Sequence, residues 1–133
     1  MSDLPSSIKV SVSFGELFDK IAILEIKSER IQETSKRNNS AHELAALRRS
    51  RDEIFQQEEI KLIDSLLRDL KSVNENLWEI EDRIREHEAA HDFGADFIKL
   101  ARSVYQMNDE RYRLKREINL ALGSPLIEEK SYC

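Results

Sequence analysis

Residues 63–84 read IDSLLRDLKSVNENLWEIEDRI, and this stretch decides the fold. Its apolar residues Ile63, Leu66, Leu70, Val73, Leu77, Ile80 and Ile84 are spaced alternately three and four apart. That is the heptad period of a helix carrying one apolar seam against a neighbour. A half-buried strand would alternate every second residue instead. The same step recurs downstream in Phe97, Leu100, Val104, Met107, Leu114, Ile118 and Ala121. Upstream it recurs in Leu17, Ile21, Leu24 and Ile31, with Ser28 in the remaining slot. Ile23 and Ile26 widen that first face, so the first helix is expected to have more than one neighbour.

The breakers agree with this reading. Pro5, Gly15, Gly94, Gly123 and Pro125 all lie where a helix should start or stop. Ser13-Phe14-Gly15-Glu16 and Ser40-Ala41-His42-Glu43 have capping-box spacing. The polar run Thr34 to Asn39 reads as the first turn, and His91-Asp92-Phe93-Gly94 as another. Around Gln56-Gln57-Glu58-Glu59 the apolar stripe loses phase, so a helix break is expected near Gln57. Without that break, one helix of about 70 Å would result at 1.5 Å per residue. With it, the first helix, Ile60–Glu88 and the last helix make a three-helix core. The expectation is therefore an all-α antiparallel helical bundle with coiled-coil-like heptad packing. It forms a single domain over 1–133, with a short extended lead-in (1–12) and a tail (124–133) that is either disordered or packed back near the lead-in.

Composition narrows the class. The 133 residues carry a net charge of -5, with 35% charged residues. An acidic balance argues against nucleic-acid binding, which needs a basic face. No apolar run approaches a membrane span, and MSDLPSSIKV lacks a signal-peptide apolar core. The one cysteine, Cys133, leaves no internal disulfide. These features predict a cytoplasmic protein without membrane insertion. The broad first face and the long middle helix predict a homodimer, and an unidentified protein partner is a further expectation.

One motif looks like chemistry. His87-Glu88-Ala89-Ala90-His91 spells HExxH, which on a helix places two histidines on one face for zinc. The alternative is that both histidines continue the seam from Ile80 and Ile84 and close the helix end. The longer zinc motif needs a third ligand where Phe97 stands. No metal, cofactor or protease activity is therefore expected. A second constellation is charged. Arg111 fills an apolar slot between Met107 and Leu114, so it needs a carboxylate or a ligand. Glu25, Glu29, Glu81 and Asp82 are the expected partners. Lys20, Arg30, Glu81, Arg111 and Lys115 are the candidate ligand-binding residues, facing the Trp78–Asp82 segment.

Several segments resemble an uncharacterised bacterial and phage family of unknown function. They are VSFGELFDK (12–20), ILEIKSERI (23–31), LWEIED (77–82), DFG (92–94), LARSVY (100–105), Asn108-Asp109, KREIN (115–119) and EEKSY (128–132). The resemblance implies no established activity. It implies a setting beside sugar-transfer and surface-polysaccharide functions. It also favours the break near Gln57, and it does not include His87 and His91. A weaker likeness, Asp19 through Arg30, is to the first helix of the all-helical chorismate mutases, where it implies a carboxylate-holding arginine. The reading that follows is a non-catalytic interaction or accessory module. The alternative is an enzyme or binder for an anionic metabolite.

Overall fold

The computed structural model describes residues 3–131, and among them five helices and no strand form. They are α1 (Phe14–Arg30), α2 (Thr34–Ile54), α3 (Gln57–Leu62), α4 (Asp64–Ala89) and α5 (Ala95–Leu122). Residues 3–12 of the lead-in stay outside regular structure. Tyr132 and Cys133, to which the sequence assigned a packing role and a lone thiol, lie outside the described residues.

Helix α1 is the centre of the bundle, in contact with α2, α4 and α5. Two rows explain why. Leu17, Ile21 and Leu24 form the row legible in the sequence, and all are buried. A second row, Gly15, Asp19, Ala22 and Ile26, is spaced four, three and four apart and is buried as well. A helix buried on two rows must pack against more than one neighbour. The contacts Glu25–Arg48 and Phe14–Phe55 set α2 antiparallel to α1. The contacts Gly15–Asn119 and Asp19–Arg111 set α5 antiparallel to it as well. Helices α4 and α5 fold back on each other through the turn before Gly94.

The break falls at Phe55-Gln56, close to the expected Gln57. Phe55 is buried, with its ring 5.0 Å from Phe14 and 5.3 Å from Phe18. The Gln56 amide donates to Glu59 Oε1 at 2.8 Å, starting α3. Ile63, fully buried, marks the bend into α4.

Two expectations are corrected. The first turn is Ile31–Glu33, and Thr34 to Asn39 are helical. Ser40 and Glu43 are thus inside α2 and cap nothing. Helix propagation costs little once a nucleus is docked, and the run holds no Gly or Pro to stop it. Docking comes from the buried Leu44 and the Phe55 anchor, so α2 joins the bundle as a further long helix beyond the three-helix core.

The heptad row of α4 changes character along its length. Ile63, Leu70, Val73 and Leu77 are buried, whereas Ile80 and Ile84 are half-buried. In α5 the order reverses: Phe97, Leu100, Val104 and Met107 are half-buried, while Leu114 and Ile118 are buried. Ala121 is exposed, and its neighbour Leu122 packs on the core instead. Helix α1 covers only the part of the α4–α5 hairpin nearest the chain's ends.

Candidate functional site

Asp19 lies on the second row of α1 and is fully buried. A carboxylate there requires partners, because an isolated buried charge is prohibitively costly. Arg111 of α5 supplies them side-on. Its Nε donates to Asp19 Oδ1 at 3.0 Å and to Oδ2 at 3.1 Å, and its NH2 donates to Oδ2. Asn74 Nδ2 of α4 adds a bond to Asp19 Oδ1 at 2.9 Å. Asp19 therefore ties α1 to both other helices. The carboxylate bonded to Arg111 holds the guanidinium pKa above its ordinary value. The expected partners of Arg111 are corrected: none of Glu25, Glu29, Glu81 or Asp82 pairs with it. Its side chain is 29% exposed, so it is half-buried rather than enclosed.

One turn along α5, Lys115 is buried and held by Glu16 Oε2 at 2.6 Å and Glu128 Oε1 at 2.8 Å. Burial pushes its pKa down. The bonds to Glu128 and Glu16 outweigh that and leave it raised. The same bond to Lys115 holds Glu128 below the usual carboxylate range. Glu129 bonds Arg116 at 2.9 Å. Thus Lys115, a candidate ligand-binding residue, and its neighbour Arg116 hold the chain's own tail. Leu126, Ile127 and Glu128 line one cleft with Ser11, Val12 and Ser13, so the tail also lies beside the lead-in.

The start of α1 is capped from the far end of the chain. Phe14 N donates to Ser124 Oγ at 3.2 Å, and Gly15 N to Asn119 Oδ1 at 2.6 Å. Glu16 N donates to Ser13 Oγ at 3.2 Å, which is half of the expected capping box. Glu16 spends its carboxylate on Lys115 and Lys20. Gly15 is required here by closeness: a Cβ on it would lie 2.4 Å from the Lys115 carbonyl oxygen.

On the outer side of the Asp19–Arg111 pair, α1, α4 and α5 leave a cleft of about 220 Å³. Ile23, Ile26 and Leu77 give it an apolar wall. Arg111, Lys27, Glu81, Asn74 and Asn108 give it polar groups, and Trp78 a flat one. Of the five sequence candidates, Arg111 and Glu81 meet in this cleft. The other three are elsewhere. Lys20 is exposed and 3.7 Å from Glu16. Arg30 pairs with Glu75 and Glu79 at 3.4 and 3.5 Å. Lys115 is closed under Glu128.

The HExxH geometry does not form. Helix α4 ends at Ala89, and His91 sits off it at φ 54. His87 and His91 therefore share no helical face. The Nδ1 of His87 lies 3.1 Å from the Asp92 carbonyl oxygen and 3.3 Å from Oδ2 of the same residue. The His91 ring instead lies 6.4 Å from that of Phe93. Among the described residues no three His, Cys, Asp or Glu side chains gather as a metal site.

The candidate ligand-binding residues chosen from the sequence did not include Asp19, Asn74 or Lys27 of the polar junction. Asp19 sits two residues from Leu17 and from Ile21, off the apolar row legible in the sequence. The signal that would have found it is the four-three-four spacing of Gly15, Asp19, Ala22 and Ile26. No curated protein and no solved structure matches the chain. A family model described as a family of unknown function matches residues 8–133, which include all of α1 to α5 and the residues of the polar junction. On that match the chain belongs to this family of unknown function, DUF6165.

Proposed function

We propose that the protein is a non-catalytic helical interaction module that works as a homodimer. One observation carries the reading. From Trp78 on α4 to Arg113 on α5 no described residue is buried, and beyond the contacts of Glu79 and Arg111 with α1 the hairpin extends past that helix. Ile80, Ile84, Phe97, Leu100 and Val104 all stay half-buried. Phe93, Ile98 and Tyr105 stand 48%, 54% and 54% exposed. A two-helix arm with a seam this open buries too little to be stable on its own, and a bundle needs a further layer. The three-four spacing of Leu77, Ile80 and Ile84 supports coiled-coil-like packing in that layer.

The arm's charges favour a second copy as the occupant. On α4 it carries Glu79, Glu81, Asp82, Glu86 and Glu88 against Arg83 and Arg85. On α5 it carries Lys99, Arg102, Arg111 and Arg113 against Asp96, Asp109 and Glu110. Two arms related by a twofold axis set each acidic helix against the other's basic one, twice over. The non-catalytic half of the reading is supported by the pairing of Lys20, Arg30, Arg111 and Lys115 with carboxylates of the same chain. In the setting that the family resemblance implies, such a cytoplasmic module is an accessory to surface-polysaccharide assembly rather than its transferase.

Light scattering tests this. At about 50 μM the expected mass is twice the 15.6 kDa chain. The double variant Ile98→Glu/Tyr105→Glu is expected to halve it with helical circular dichroism unchanged. A wild-type monomer at that concentration would sink the dimer. A variant that stays dimeric would move the interface off the arm.

A further inference from the structure

We infer that the cleft at the base of the arm is a binding site for a small anion with a flat apolar body. The stereochemistry of Arg111 carries the inference. A guanidinium has five N–H donors in a fixed planar fork. Asp19 takes the side-on edge, using the Nε hydrogen and one NH2 hydrogen. Asn108 Oδ1 faces NH1 at 3.4 Å and accounts for one hydrogen there. That leaves one hydrogen on NH1 and one on NH2, the two nitrogens of the end-on edge. This is the edge that grips both oxygens of a carboxylate or phosphate.

That fork is preorganised and reachable. Asp19 and Asn74 hold the guanidinium from below, and the Arg111 side chain keeps 29% exposure on the cleft side. Lys27 lines the same cleft as a second cation. A purely structural pair would be cheaper as two apolar residues of the same volume, so the open fork at this cost asks for a use. The rest of the cleft describes the remainder of the ligand. Ile23, Leu77 and the Trp78 ring offer an apolar wall, while Glu81 disfavours a second negative charge at its edge. The ligand class is a compact oxyanion on a flat body, of a size that fits about 220 Å³. The site lies where α1 stops covering the hairpin, and it stands whether or not the arm pairs with a second copy.

Trp78 is the only tryptophan, so its indole N–H gives one nitrogen-15 resonance inside the cleft. The probes are inorganic phosphate, benzoate and phenyl phosphate, with uncharged benzyl alcohol as the control. Each is titrated into the full-length protein to about 10 mM, beyond the Kd of a weak specific site. The expected result is a saturable shift with benzoate or phenyl phosphate and none with benzyl alcohol. Benzoate against phenyl phosphate separates a carboxylate ligand from a phosphate one. Arg111→Lys keeps the charge but removes the fork, and Lys27→Met removes the second cation while keeping its stem. Either variant that retains the wild-type melting temperature is expected to weaken binding at least tenfold. Three results overturn the proposal: no saturable shift with any anion, an equal shift with benzyl alcohol, or undiminished binding in the folded variants.

Discussion

Asp19 and Arg111 show how one buried charge organises three helices. The carboxylate is fully enclosed, so removing its main partner leaves it uncompensated. Lys115 Nζ stands 4.0 Å from Asp19 Oδ2 and offsets part of the loss. Arg111→Ala is therefore expected to cost about 3 kcal/mol, at the low end for breaking a buried pair. Arg111→Leu restores volume but not charge, so it recovers little by itself. Asp19→Asn combined with Arg111→Leu removes both charges and is expected to cost less than Arg111→Ala alone. Urea denaturation of the set checks this, and additivity of the two single costs would exclude the coupling. The sequence made Arg111 visible because it interrupts a row of large apolar residues. It hid Asp19 because that row is Gly15, Asp19, Ala22 and Ile26. Small residues mark a close helix contact, and a pattern search tuned to leucine and isoleucine passes over them.

At the level of elements, the tail behaves as a strap across the start of α1 and the end of α5. Gly123, at φ 70, ends α5 in the left-handed conformation and turns the chain back. Ser124 then caps Phe14, and Glu128 closes over Lys115. The strap has a definite pH dependence. The folded pKa of Glu128 lies below its ordinary 4.5, so its contribution is complete above that value and lost as pH falls through the depressed one. Lys115 is raised above its ordinary 10.5, so its contribution is complete below that value and lost only as pH rises past the raised one. Glu128→Gln is expected to melt earlier than wild type at pH 7, with the gap closing as pH falls below 4.5 and through the depressed pKa. Melting curves across that range check it, and a constant gap would mean that the charge of Glu128 contributes nothing. Little of the strap was legible beforehand. Its residues carry no periodicity, and the bond by which Ser124 caps Phe14 spans 110 positions. The helices were legible because their signal repeats within a few residues. The misplaced first turn shows the limit: polar composition predicts exposure, and Thr34 to Asn39 are exposed helix.

The whole molecule divides into a closed part and an open one. In the closed part α1 covers Leu70, Val73, Leu77, Leu114 and Ile118, and the polar junction sits at its edge. In the open part the same heptad rows continue through Ile80, Ile84, Leu100 and Val104, all half-buried, with no third helix over them among the described residues. The sequence pattern is identical in the two parts, because periodicity records which residues face a neighbour and not how many neighbours there are. That is why the hairpin could be read from sequence and the arm could not. The division predicts a gradient of local stability. Amide protection follows buried apolar contact, so amides of residues 80–88 and 97–105 are expected to exchange faster than those of 70–77 and 114–119. If the arm is the dimer interface, mass action stabilises the arm against local opening as protein concentration rises. Hydrogen exchange at about 1 μM and about 100 μM therefore separates the two parts: arm protection should increase by RT ln of one plus the bound-to-free ratio, while amides of the closed part that exchange by local opening stay unchanged. Equal protection in both parts at the lower concentration would show that the hairpin is stable without a third layer. The argument for a partner on the arm would then fail with it.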